Sequence, residues 1–118
     1  GQQLMHELGL TQSILDIAIE HANRNKASKI LKINVRAGRM IALVDESMQF
    51  FFKYLTGGTI AEGADLVIEH IPIRIYCLAC GVNSEVSEFE IYSCPKCGGS
   101  EVEIVSGREF FVDSIEVE

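Results

Sequence analysis

Four cysteines constrain this chain more than anything else in it. Cys77 and Cys80 form one Cys-x-x-Cys pair, Cys94 and Cys97 form another, and residues 81–93 separate them. Each pair is followed by glycine, Gly81 and Gly98. A two-residue spacer lets both sulfurs of one tight turn face a single ion. The glycine accepts the left-handed backbone conformation such a turn needs. Two turns of this kind supply four thiolates, and a closed tetrahedral set of thiolates favours zinc. Iron is the rival occupant, because rubredoxin-like proteins use similar knuckles and spacing alone does not separate the two metals. Two disulfides would need an oxidising compartment, and the start Gly-Gln-Gln-Leu-Met-His-Glu has neither the basic flank nor the apolar stretch of a secretion signal. A thioredoxin-like dithiol would be one pair, not two matched ones. With all four positions filled by sulfur, the site has no open place for a substrate. It therefore marks a structural module and not an activity.

Charge narrows the partners. The 118 residues carry 10 Lys plus Arg against 17 Asp plus Glu, a formal charge of −7. That surface is unsuited to the phosphate backbone of nucleic acid and to anionic membranes. No apolar run approaches the ~18 residues of a membrane span. These features place the protein in the cytoplasm.

The rest of the chain reads as α/β. Leu10, Ile14, Ile17, Ala18 and His21 recur at helical spacing, with the helix starting at Thr11 as cap or near Glu7. Residues 29–37 alternate: Leu31, Ile33, Val35 and Ala37 face one way, Lys32, Asn34 and Arg36 the other, as in a half-buried strand. Gly38 suggests a turn or bulge, and residues 40–44 a short continuation of the strand. Asp45 is the expected cap of a second helix whose Met48, Phe51, Phe52 and Leu55 share a face, and Gly57-Gly58 stops it. That aromatic stripe reads as core. Residues 64–71 form a strand that Pro72 interrupts, and residues 86–92, 102–105 and 109–117 are strand-like. The last of these needs a partner sheet, which only the first part of the chain offers. The expected architecture is two helices packed on a small mixed β-sheet, with an inserted four-cysteine, zinc-ribbon-like module. In residue terms, 1–73 plus 106–118 form an α/β domain and 74–105 the zinc-binding module. A module of ~30 residues builds little core, so its metal must supply the cross-links.

Three histidines remain: His6, His21 and His70. His21 and His70 have no partner in the pattern and read as structural. His6 lies in Met5-His6-Glu7, directly ahead of the first helical stretch. This start, the paired cysteines with their Cys-Pro-Lys-Cys-Gly knuckle, the strand end Arg36-Ala37-Gly38 and the closing Asp113-Ser114-Ile115-Glu116-Val117 together resemble the HypA/HybF family. The resemblance runs from Met5 to Glu118.

What the resemblance implies is a nickel metallochaperone for [NiFe]-hydrogenase maturation, with some relatives serving urease. It implies labile Ni(II) cargo held by the His6 imidazole, the amides of His6 and Glu7 and the α-amine of Met5. It also implies structural Zn(II) on Cys77, Cys80, Cys94 and Cys97. An imidazole with adjacent backbone nitrogens makes a planar nitrogen set, which suits Ni(II) or Cu(II). Gly1-Gln2-Gln3-Leu4 precede Met5, read here as an addition or an altered start, and while attached they leave Met5 without a free α-amine. The implied partners are a HypB-type GTPase and the hydrogenase large-subunit precursor, together with a homodimer or domain-swapped dimer. The chain has no Gly-x-x-x-x-Gly-Lys-Ser/Thr loop, so nucleotide chemistry must come from a partner. No nucleophile motif or His-Glu-x-x-His argues for an enzyme. The competing readings are a rubredoxin-like electron carrier and a zinc-ribbon interaction module.

Overall fold

The computed structural model describes residues 2–118, with side chains from His6 onward. Two helices and six strands follow in the order α1 (Gln2–Arg24), β1 (Ile30–Gly38), α2 (Asp45–Thr56), β2 (Asp65–Ile71), β3 (Ile73–Cys77), β4 (Asn83–Val86), β5 (Val102–Ser106) and β6 (Phe110–Val117). The strands make two three-stranded sheets, β2-β1-β6 and β4-β3-β5. The chain divides into two compact units. Among the described residues, one holds 2–36, 43–69 and 111–118; the other holds 37–42 and 70–110.

In the first unit β1 is the central strand. Glu118 N donates to Lys29 O (2.8 Å), Lys32 meets Glu116 and Asn34 meets Ser114. Residue numbers on β6 fall as those on β1 rise, so these two strands are antiparallel. On the other side Ile30 N donates to Ile60 O, and Arg36 meets Glu69. There the numbers rise together, so β1-α2-β2 is a parallel crossover unit and the sheet is mixed. The closing strand lies beside β1 and completes this sheet. Ile33 and Val35 of β1, Met48 and Phe52 of α2, Leu66 of β2, and Ile14, Leu15, Ala18 and Ala22 of α1 form the core. In the crossover helix, Met48 and Phe52 stack at i and i+4, and Gly58 at φ 77 follows its end.

The first helix departs from the sequence reading in two ways. It extends upstream of Glu7 and runs through Gly9. Its buried stripe is also rotated. Glu7, Thr11, Ile14, Leu15, Ala18 and Ala22 are buried, whereas Ile17 is 43% exposed and His21 is exposed too. The cause is that two polar residues lie in the stripe. Thr11 is no cap; its hydroxyl donates to Glu7 O one turn back (2.7 Å) and lies 3.3 Å from Met48 Sδ. Asp45 is not the cap of α2 either, but its first helical residue, behind Val44.

The second unit is built on β3. Ile73, Ile75 and Cys77 alternate inward while Arg74 and Tyr76 face out. β3 pairs antiparallel with β4 (Ile75 opposite Ser84) and with β5 (Ile75 opposite Ile104). Residues 37–42 belong here because Gly38 N donates to Glu109 O (2.6 Å), Arg39 N to Ile71 O (2.9 Å) and Met40 N to Gly107 O (2.9 Å). Those bonds tie residues 38–40 to two separate segments. Ile41 N then turns back to Gly38 O, so the expected strand continuation over 40–44 does not form. The expected strand over 86–92 is absent beyond Val86, the end of β4. Ser87 Oγ donates to Glu90 (2.8 Å) and Glu90 N to Ser87 O (3.0 Å), which closes a turn where the apolar alternation suggested a ladder.

Candidate metal centre

The cysteines sit on two knuckles of the same design. The first turns β3 into β4: Gly81 N donates to Cys77 O (2.8 Å) and Cys77 N to Val82 O (3.0 Å). The second leads towards β5: Gly98 N donates to Cys94 O (2.8 Å) and Cys94 N to Gly99 O (2.8 Å). Gly81 and Gly98 hold φ of 75 and 74, the left-handed conformation read from the sequence at both positions. Leu78 N donates to Glu101 O (2.8 Å), which fastens the first knuckle to the segment entering β5.

This arrangement gathers all four sulfurs within 4.8 Å of one another. Cys77 Sγ lies 3.6 Å from Cys97 Sγ, and Cys80 Sγ lies 3.6 Å from Cys94 Sγ. A tetrahedron with metal–sulfur bonds of about 2.3 Å spaces its sulfurs about 3.8 Å apart, so the set has the right size. Cys77 and Cys94 are buried, and Cys80 and Cys97 are exposed. Backbone amides point at the sulfurs: Cys80 N at Cys77, Lys96 N at Cys94 and Gly99 N at Cys97, each at 3.4 Å.

Those amides favour thiolate. The amide of Cys80 holds the Cys77 thiol below its ordinary range. The amides of Cys97 and Lys96 bring Cys94 down to about 7. The amide of Val82 also draws Cys80 down, but desolvation and the adjacent sulfurs outweigh it and push that thiol up to about 12. Cys97 goes up as well; the Gly99 amide is outweighed by the Cys77 sulfur, desolvation and the Cys94 sulfur. Four sulfurs this close cannot all be anionic without a counter-charge. A divalent cation would supply that charge, and the donor set fits one that prefers soft tetrahedral ligands. Among the described residues this is the one His/Cys/Asp/Glu cluster with metal-site spacing.

The N-terminal motif lies on α1. His6 is exposed and Glu7 is 1% exposed. The Glu7 carboxylate accepts a hydrogen bond at Oε2 from Val44 N, while Oε1 is buried with no partner among the described residues. The Met5 side chain lies outside the described residues. His21 and His70 are in neither group. The sequence reading did not place the Glu7 side chain on the buried face of α1. The signal was available: Glu7, Thr11, Ile14, Leu15, Ala18 and Ala22 keep one helical face, and only the polar character of the first two hid it.

Comparison with known proteins decides the family. The model described as "Hydrogenase/urease nickel incorporation, metallochaperone, hypA" matches residues 5–117. This chain belongs to the HypA family. The hydrogenase maturation factor HypA of Caldanaerobacter subterraneus subsp. tengcongensis is 42% identical over 97% of this chain and 100% of its own length. HypA of Dehalococcoides mccartyi is 37% identical over 97% of this chain and 95% of its own. Among solved structures, a solution structure of a HypA protein superposes with a TM-score of 0.72 at 25% identity, covering 97% of both chains. The nickel metallochaperone HypA of Helicobacter pylori has the same fold, with a TM-score of 0.64 over 94% of this chain and 96% of its own. HypA proteins are metallochaperones and maturation factors, a family not known as enzymes. No helix among the described residues is long and apolar enough to cross a membrane.

Proposed function

We propose that this HypA protein binds Ni(II) at Met5-His6-Glu7 and delivers it for hydrogenase maturation, while Cys77, Cys80, Cys94 and Cys97 hold a structural zinc. One observation carries the nickel reading: in a chain of the nickel-incorporation family, the exposed His6 lies one turn into α1 beside the amides of His6 and Glu7. The imidazole of His6 and the amides of His6 and Glu7 form the nitrogen set, and the α-amine of Met5 completes it when Met5 is the first residue. Such a set is planar and suits Ni(II). An exposed position favours exchange with a recipient. The recipient is the hydrogenase large-subunit precursor, urease being the other destination open to the family. A HypB-type GTPase supplies the nucleotide chemistry this chain lacks, and the chain acts as a monomer exchanging with a dimer, closed or domain-swapped.

Helix geometry adds a condition. With α1 starting at Gln2, the amides of His6 and Glu7 donate to the carbonyls one turn earlier, at Gln2 and Gln3. In a chain starting at Met5 the same amides fall in the first turn, where they have no helical acceptor. Nickel then competes with no hydrogen bond there. A calorimetric Ni(II) titration of the zinc-loaded protein tests this with three forms: this chain, the chain starting at Met5, and His6→Ala. Saturable binding that His6→Ala abolishes, and that tightens at least about tenfold on trimming to Met5, is expected. Binding indifferent to both changes would place nickel elsewhere.

The zinc reading rests on the four-thiolate set and its size. When bound, zinc cross-links the two knuckles and neutralises their charge. Its affinity must fall with acid, because the Cys80 thiol, at about 12, is protonated at neutral pH and gives up its proton on binding. The apparent affinity should drop at least about tenfold for each pH unit below 7. Competition with a chromophoric chelator between pH 5 and 7 measures this. A flat profile would show that the thiols are not the ligands.

A further inference from the structure

Adjacent residues on a helix point about 100° apart, and at His6 and Glu7 that separation divides solvent from core. His6 is exposed, whereas the Glu7 side chain is buried against the first turn of α2. α2 has no cap of its own, since Val44 occupies the cap position and makes no side-chain hydrogen bond there. Glu7, 37 residues earlier in the chain, instead accepts at Oε2 from the amide of that cap residue. A buried carboxylate is costly unless hydrogen-bonded, and Oε1 has no partner among the described residues. The Val44 amide donates to this carboxylate at the positive end of α2. Turning this carboxylate outwards to a cation beside His6 would strand Val44 N. The Glu7 carbonyl is held as well, by the Thr11 hydroxyl, which also lies against Met48 Sδ of α2.

We propose that Glu7 is a positioning residue for the nickel site: its carboxylate ties the metal-binding turn to the start of α2. Capture of nickel by the amides of His6 and Glu7 and the Glu7–Val44 hydrogen bond at the start of α2 are then coupled. This rests on the nickel reading above and deepens it. Ligation through the Glu7 amide resets the backbone that aims the carboxylate, so the Val44 hydrogen bond responds. By reciprocity, a change in that hydrogen bond alters nickel affinity by the same factor.

The test uses the zinc-loaded chain starting at Met5, with Glu7→Gln, Glu7→Ala and His6→Ala. Nickel stoichiometry is read by calorimetry, and Val44 by amide hydrogen exchange and its NMR shift with and without Ni(II). In the parent, nickel should move the Val44 resonance and change its exchange rate. Glu7→Gln, whose amide oxygen can still accept from Val44 N, should keep one His6-dependent nickel per chain, speed Val44 exchange a few-fold and shrink the nickel-induced shift. Glu7→Ala should do the same more strongly, and if it does not fold, Glu7→Gln alone decides. Loss of nickel binding in Glu7→Gln with Val44 still protected would make the carboxylate a ligand and overturn the proposal. A Val44 resonance indifferent to nickel bound at His6 would overturn the coupling alone. Nickel binding that survives His6→Ala would overturn the nickel reading beneath it.

Discussion

Cys94→Ala is expected to abolish stoichiometric zinc binding and to unfold the knuckle segment, residues 78–101. Cys94 is buried, its sulfur receives the Lys96 amide, and it lies 3.6 Å from the sulfur of Cys80 on the other knuckle. Apart from the β4–β3 ladder and the Leu78–Glu101 hydrogen bond, little else holds this stretch together. Between the knuckles Phe89 is 84% and Tyr92 is 75% exposed, so the apolar side chains there build no core. Structural zinc is worth on the order of 10–16 kcal/mol of apparent binding free energy in small modules, far more than a few half-buried contacts supply. Removal of the metal with a strong chelator should give the same result as the substitution. The measurement is zinc content after desalting, with amide NMR of residues 78–101. Cys94→Ser restores volume and polarity without a good ligand and should fail equally. Full zinc content in either variant would refute the four-thiolate site.

Gly38→Ala should cost about 3 kcal/mol or more and lower Tm by more than about 10 °C. A Cβ at Gly38 would lie 2.0 Å from Gly107 O, 2.1 Å from Gly107 C and 2.7 Å from Arg108 N. All three are backbone atoms, so no rotamer change relieves the overlap. Gly107 cannot retreat, because it holds φ 109 and a Cβ built on it would lie 2.9 Å from Ile73 Cα. The two glycines let the end of β1 cross residues 107–109 at hydrogen-bonding distance, with Gly38 N on Glu109 O at 2.6 Å. Gly9→Ala is the control: nothing lies within 4 Å of a Cβ there, and alanine suits a helix interior, so Tm should hold or rise slightly. Thermal unfolding of both variants, zinc-loaded, measures the contrast. A Gly38→Ala protein as stable as its parent would show that the backbone crossing relaxes freely.

Elements whose burial follows a single period were legible in the sequence. Ile33, Val35 and Ala37 alternate inward on β1, and Met48 and Phe52 stack on α2, because one face of each meets a core and the other meets water. The knuckles were legible for a different reason. Ligand spacing and the glycine conformation are local, so Cys-x-x-Cys-Gly specifies its own turn, and Gly81 and Gly98 took the left-handed conformation at almost the same angle. Residues 86–92 read as a strand in the sequence, but only Val86 lies in one, because the Ser87–Glu90 bonds that close the turn leave no mark on the apolar pattern.

The sequence by itself therefore determined the metal-site spacing of the cysteines, both helices, the strands β1, β2, β5 and β6, and the Met-His-Glu motif that pointed to the family. Each is a property of residues near one another in the chain. Tertiary structure alone decided that the two knuckles meet in one cluster of sulfurs, that Gly38 passes against Gly107, and that the Glu7 carboxylate accepts from the Val44 amide 37 residues away. Each of these joins distant segments through hydrogen bonds or close backbone contact. Such contacts carry no periodicity, so they become visible only once the chain has folded.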